Sequence, residues 1–161
     1  MRYDAVIVGG GAAGLLCAGF AARRGLSVLV AEGRERPARK ILVTGKGRCN
    51  LTNNCPPDEV MKNVMSNPKF LYSALSRFSP ADTMALFEGL GVPLKTERGN
   101  RVFPVSDSAR DVADALVRFA REGGARIVQA KVSEILLEDG AAAGVRSQDG
   151  REFRGRSVVL A

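Results

Sequence analysis

Tyr3-Asp4-Ala5-Val6-Ile7-Val8-Gly9-Gly10-Gly11-Ala12-Ala13-Gly14 is the stretch that decides the fold. A short apolar run, Tyr3 to Val8, leads into glycines, and Ala12 to Arg24 reads as a helix closed by Gly25. Ser27 to Ala31 reads as a second strand. A helix of about 13 residues between two short apolar strands predicts a βαβ unit, and hence a parallel pair with a right-handed crossover. Gly9, Gly11 and Gly14 stand at Gly-x-Gly-x-x-Gly spacing inside that unit. Gly9 permits the tight turn, Gly11 lets a pyrophosphate approach the backbone, and Gly14 lets the helix pack closely on the sheet. The helix start, with Ala12 and Ala13, turns free amides and a positive dipole end toward the anion. Glu32 ends the second strand 18 residues after Gly14, where a carboxylate can bind both hydroxyls of an adenosine ribose. It would repel a 2′-phosphate, so NADP is disfavoured at this site and FAD or NAD is left.

The rest of the chain narrows the choice. Residues 33 to 54 are polar and glycine-bearing, with one apolar island at Ile41-Leu42-Val43, which predicts a long functional loop. Asn67-Pro68 opens a helix carrying Phe70, Leu71, Ala74, Leu75 and Phe78, and Ser79-Pro80 opens another with Leu86, Phe87 and Leu90 inward and Gly91 as its stop. Phe70, Phe78 and Phe87 are expected in the core. These helices interrupt the α/β alternation and read as an insertion over about 56–91. Ser108 to Asp111 fits a capping pattern before an amphipathic helix with Val112, Leu116 and Phe119, and Gly123-Gly124 ends it. Arg126 to Val128 predicts a third parallel strand. Val132 to Glu138, Ala142 to Ser147 and Glu152 to Arg154 predict a small antiparallel meander over about 132–156, and Ser157 to Ala161 begins one more strand. A plain NAD domain would continue with regular βα units, so this order favours FAD.

The bulk properties bound the class. At 161 residues and 45% hydrophobic content, one domain that folds without disulfides or metal is expected. Cys17, Cys49 and Cys55 lack the spacing of a zinc or redox motif, which suits a reducing cytoplasm. Cys17 is expected in the core. No export signal or membrane span is read in the chain. The net charge of +7 is spread among interleaved acids, as in Arg34-Glu35-Arg36, and no interleaving of aromatic and basic residues is recognised, so no nucleic-acid partner is expected. Histidine is absent, which removes the commonest general acid/base and metal ligand. No metal site is expected and no catalytic residue is assigned.

Gly45-Lys46-Gly47-Arg48-Cys49-Asn50 has the makings of a backbone nest for anionic oxygens, with Arg48 and Lys46 adding charge. It is not a Walker loop, because Gly47 follows Lys46. With no histidine to activate it, Cys49 is expected to pack or to contact through its backbone rather than to react.

Three segments together carry a resemblance: Gly9-x-Gly11-x-x-Gly14, Lys40-Ile41-Leu42-x-Thr44-Gly45-x-Gly47-Arg48-Cys49-Asn50-x-Thr52-Asn53, and Arg101-Val102-Phe103-Pro104-x-Ser106. They resemble the BaiN-like NAD(P)/FAD-dependent oxidoreductases, also called the YhiN family, and the second segment is highly specific. The resemblance spans the whole chain. It implies a Rossmann-like, glutathione-reductase-type FAD-binding domain of the α/β class, a parallel sheet with inserted helices and an antiparallel meander. It implies that FAD is held by Gly9, Gly11, Ala12, Ala13, Gly14, Glu32, Gly33, Lys40, Gly47, Arg48, Cys49 and Asn50, with Val132 meeting the adenine through its backbone and Ala161 opening a motif that normally continues. Lys46 departs from the pattern, where a small or neutral residue is more usual.

The expected function is an FAD-dependent oxidoreductase with NAD(P)H as co-substrate and a small molecule or oxygen as acceptor. The alternative is a non-catalytic dinucleotide-binding module that needs a second chain. Because Ser157 to Ala161 would stop inside a strand, a truncated domain is expected, inactive without the missing C-terminal part or a partner chain.

Overall fold

The structure, a computed structural model, describes Met1–Ala161. Along the chain run β1 (Arg2–Val8), α1 (Ala12–Arg23), β2 (Val28–Glu32), a 3-10 turn (Ile41–Gly47), β3 (Thr52–Asn53), α2 (Pro57–Lys62), a 3-10 turn (Pro68–Leu71), α3 (Tyr72–Arg77) and α4 (Pro80–Gly89). β4 (Leu94–Glu97), β5 (Arg101–Pro104), α5 (Ala109–Glu122), β6 (Arg126–Gln129), β7 (Val132–Glu138), β8 (Ala141–Ser147) and β9 (Glu152–Leu160) follow. The chain forms two compact units, residues 1–41 with 116–161, and residues 42–115.

The first unit is built on a six-stranded sheet of order β6-β2-β1-β9-β8-β7. β1 lies parallel between β2 and β9, with Val6 opposite Leu29 on one side and Val158 on the other. Val28, Leu29, Val30 and Ala31 are all buried, as a parallel strand covered on both faces requires. On α1 the buried residues Gly14, Leu15, Ala18, Gly19 and Ala22 make one stripe. Gly19 is small for a reason: a Cβ there would sit 2.2 Å from the ring of Phe119, which also meets Phe20 edge-on at 5.3 Å. Cys17, expected in the core, is half-buried.

β9 differs from the sequence expectation. Its start pairs antiparallel with β8, Arg146 opposite Glu152, and its remainder pairs parallel with β1 up to Val8 opposite Leu160. The third meander strand and the final strand are therefore one nine-residue strand, and the meander is continuous with the parallel sheet. Gly155 lies at the changeover, where a Cβ would press on Val6 Cγ2 at 2.8 Å.

The second unit holds a small antiparallel sheet of order β3-β5-β4, with Thr52 and Thr96 both opposite Val102. The helices expected over about 56–91 are present within this larger unit. α4 starts in a capping box, Ser79 Oγ accepting from the Asp82 amide and the Asp82 carboxylate accepting from the Ser79 amide at 2.8 Å. Phe87 is buried as expected and Phe78 is half-buried. Phe70 is not core: it is 80% exposed, because the segment begins as a 3-10 turn whose tighter period rotates it outward. No helix is long and apolar enough to cross a membrane.

Candidate functional site

The β1–α1 turn is shaped by contacts that differ from glycine to glycine. Gly9 has φ 107°, and a Cβ on it would lie 2.2 Å from the Ala161 carbonyl oxygen. A Cβ on Gly14 would lie 2.0 Å from the Gly9 carbonyl oxygen, and one on Gly10 would crowd Glu32 and Pro37 at 3.0–3.2 Å. Gly11 is different. Its φ of −77° is open to any residue, and a Cβ would meet no atom within 4 Å. The protein itself places no demand for glycine there.

Gly11 is also the N-cap of α1. No side chain caps the helix and no acid stands in its first turn. Leu15 makes the first helical bond, to the Gly11 carbonyl at 3.0 Å, so the amides of Ala12, Ala13 and Gly14 lack helical partners. Ala12 and Ala13 are exposed. An uncapped, positively polarised helix start beside an open glycine is a cradle for an anion.

Glu32 is held beside that turn. Its Oε2 accepts from the Gly10 amide and its Oε1 from the Arg34 amide, each at 2.7 Å. Each oxygen keeps a second lone pair for an incoming hydroxyl. The Ala130 amide donates to the Glu32 carbonyl at 2.8 Å, and Gly33 lies 3.5–3.7 Å, measured from its would-be Cβ, from Lys131. Val132 follows, half-buried, at the start of β7. The Ala161 amide donates to the Val8 carbonyl at 2.9 Å. Gly9 to Gly14, Glu32, Gly33, Val132 and Ala161 are thus gathered where β1, β2 and β9 end, the edge of a doubly wound sheet at which nucleotides bind. Lys40 is exposed. Two residues before it, Ala38 is buried with φ 59° and its amide donates to the Gly10 carbonyl at 2.7 Å. No sequence signal marks that left-handed alanine.

In the second unit, Gly45, Lys46 and Gly47 form a left-handed run with φ of 53°, 57° and 84°, and Cys49 has φ 61°. Lys46, the departure from the family pattern, therefore adopts a conformation that disfavours a side chain. Arg48 is committed internally. It pairs with Glu97 and, at 2.8 Å, with Asp107, and its guanidinium lies 4.2 Å from the Phe103 ring centre. Lys95 joins the same acids, reaching Asp107 at 2.7 Å. The Lys95 and Arg48 hydrogen bonds hold the Asp107 carboxyl below its ordinary range, and the Arg48 bond does the same for Glu97. The charge expected to face anionic oxygens is balanced locally, so Arg48 acts here as a clamp on the loop. Cys49 is buried, and burial pushes its thiol up despite a hydrogen bond with Thr44. The Asn50 amide nitrogen, in the orientation its neighbours require, donates to the carbonyls of Thr52 and Val102 at 3.0 and 3.2 Å.

The family model described as HI0933-like protein Rossmann domain matches residues 3–161. This chain belongs to that family. Among curated relatives of the HI0933-like chain, a ribosomal RNA dihydrouridine synthase of Escherichia coli K12 is 38% identical over 122 residues, 76% of this chain and 30% of the relative. A 3-dehydro-bile acid delta(4,6)-reductase of Clostridium scindens is 34% identical over 157 residues, 96% of this chain and 37% of the relative. The chain spans about a third of the length of these relatives. Among solved structures, a 3-ketosteroid-delta4-(5alpha)-dehydrogenase from Rhodococcus jostii RHA1 has a TM-score of 0.76 at 18% identity, covering 99% of this chain and 45% of the other. That likeness shows the fold, the Rossmann-like α/β fold of FAD-binding oxidoreductase domains.

Proposed function

We propose that this HI0933-like chain holds FAD at the β1–α1 turn and serves as the cofactor-binding part of an oxidoreductase that draws electrons from NAD(P)H and reduces an organic acceptor. The observation that carries this reading is the contrast at the fingerprint. Gly9 and Gly14 are required by neighbouring backbone and Gly10 is crowded by Glu32 and Pro37, whereas Gly11 faces only open space. When bound, the flavin supplies hydride acceptance and donation, and the protein supplies placement. The amides of Ala12, Ala13 and Gly14 hold the pyrophosphate, Glu32 accepts from the adenosine ribose hydroxyls, and Val132 meets the adenine through its backbone. The Gly47-Arg48-Cys49-Asn50 loop contributes shape and backbone, with Arg48 keeping that shape. Cys17, Cys49 and Cys55 are free thiols, which suits a reducing cytoplasm.

The visible spectrum of the purified chain, with identification of the cofactor that heat releases, tests this. FAD is expected. A colourless protein that added FAD does not reconstitute would count against it. Given that the chain spans about a third of its relatives, its own turnover should not exceed that of free flavin, as NADH and NADPH oxidation against an FAD-only blank would show.

The acceptor has two readings. A small molecule is supported by the relative named as a bile acid reductase, which aligns with 96% of the chain. A ribosomal RNA base is favoured by the relative at 38% identity and by the +7 charge. In a full-length protein, NAD(P)H oxidation driven by a steroid enone or by an RNA transcript separates them.

A further inference from the structure

We propose that the outward side of residues 60–81 is a docking surface for single-stranded RNA. This rests on the second reading of the acceptor. The segment divides its apolar residues in two. Leu75 and Phe78 are half-buried and, with Val60 and Val64, line a pocket of about 550 Å³. Phe70 and Tyr72 nevertheless stand 80% and 64% exposed. Two large rings left in water, neither of them lining that pocket, are an apolar surface open to a partner.

The charge around them is of one sign. Lys62, Lys69 and Arg77 lie in the segment, and no acid occurs between Glu59 and Asp82. Lys62 has only an exposed pairing with Glu59 at 3.1 Å, which a phosphate can displace at little cost. Phe70, Ser73, Ala74 and Arg77 are all exposed, so a ring, a hydroxyl and a guanidinium are open to solvent within this one short stretch. Aromatic rings on which bases stack, flanked by cations that track the backbone, make up the recognition chemistry of single-stranded nucleic acid. A membrane is the other anionic partner such a face could meet. The segment suits it less, because α2 and α3 have six residues each, too short for the continuous amphipathic helix that lies in a lipid interface. The interleaving escapes notice in the sequence because Phe70 falls at a position that reads as core.

Fluorescence anisotropy of the FAD-incubated chain with a labelled oligouridine of about 12 nucleotides tests the proposal, using the wild type, the double variant Phe70→Ala/Tyr72→Ala, and Lys69→Gln. The wild type should bind with an affinity that falls steeply with salt. The double variant should lose about tenfold or more, and Lys69→Gln should flatten the salt slope by about one charge. Circular dichroism and flavin content should be unchanged in all three, since these side chains are outside the core. Absence of RNA binding at low salt would overturn the proposal. So would an unchanged affinity in the double variant, or tighter capture by phosphatidylserine vesicles through the same residues. Gly11→Val separates the two readings: it should lose flavin and keep RNA binding, so a failure of the cofactor assignment and a failure of this surface are read independently.

Discussion

The carbonyl oxygen of Ala161 closes over Gly9: a Cβ on Gly9 would stand 2.2 Å from it, while the Ala161 amide donates to the Val8 carbonyl at 2.9 Å. The end of β9 and the first glycine of the fingerprint are therefore one packed unit. Gly14 adds a second layer, since its own Cβ would strike the Gly9 carbonyl oxygen at 2.0 Å. The protein's own atoms thus set the shape of the turn, which lowers the ordering cost that binding would otherwise carry.

Glu32 is positioned by two amides and keeps acceptor capacity on both oxygens. Glu32→Ala should weaken FAD binding by about 1–3 kcal/mol, the loss of a charged hydrogen-bonding partner. Fluorescence titration of apo-protein with FAD measures it, and an unchanged affinity would remove Glu32 from the cofactor site. Because Glu32 also ties down the Gly10 and Arg34 amides through its two oxygens, Glu32→Gln, which keeps one acceptor oxygen and turns an NH2 donor toward the other amide, should recover only part of the loss.

In the second unit, Cys49→Ser should retain flavin, because a buried thiol pushed above its usual range is a poor nucleophile at neutral pH. Arg48→Ala should cost more, through loosening of the loop held by Glu97, Asp107 and Phe103. Flavin content and stopped-flow reduction of the two variants check this. Loss of flavin reduction with intact binding in Cys49→Ser would reverse the assignment.

Asp4 links acidity to the seam between β1 and β2. Its carboxylate accepts from the Ser27 hydroxyl at 2.7 Å and the Ser27 amide at 2.9 Å, and these bonds lower its pKa below 3.8. A depressed folded pKa stabilises the protein above the unfolded value and is lost as pH falls through the folded one. Asp4→Asn should therefore be less stable than wild type at neutral pH, with the gap narrowing below about pH 4. Urea midpoints at neutral and acid pH report this, and a gap independent of pH would show that the Asp4 charge is not involved.

Lys46 is exposed and left-handed at φ 57°. Lys46→Gly should raise stability by about 0.5–1 kcal/mol, since relief of the backbone outweighs the added freedom of the unfolded chain. Thermal or urea unfolding measures the change, and a loss of stability would mean that the lysine side chain makes an unrecognised contribution.

The βαβ unit and the candidate site around it are legible because their signals are local. Val6 to Val8 and Val28 to Ala31 are continuous apolar runs, and the glycines are spaced by a geometric need. The β3-β5-β4 sheet was not legible. β3 has two residues and β4, Leu94-Lys95-Thr96-Glu97, has one apolar side chain, so neither carries a strand period. β9 read as two strands because Gly155 interrupts it, and that glycine answers to Val6, a residue distant in sequence. Ala38 and the pairing of Arg48 with Glu97 and Asp107 depend on tertiary contacts that no spacing records.

Gly11 is proposed to be glycine for the sake of a ligand and not for the sake of the fold. Gly11→Ala decides it, measured as thermal stability without cofactor and as FAD affinity, beside Gly14→Ala. The melting temperature of Gly11→Ala should stay within about 2–4 °C of wild type, the equivalent of 1 kcal/mol in a chain of this size, while FAD affinity falls by about tenfold or more as the added methyl holds the pyrophosphate off the backbone. Gly14→Ala should instead lose about 2–3 kcal/mol of stability by overpacking against Gly9. An FAD affinity unchanged in Gly11→Ala, with the fold intact, would show that the open space beside Gly11 does not receive the cofactor.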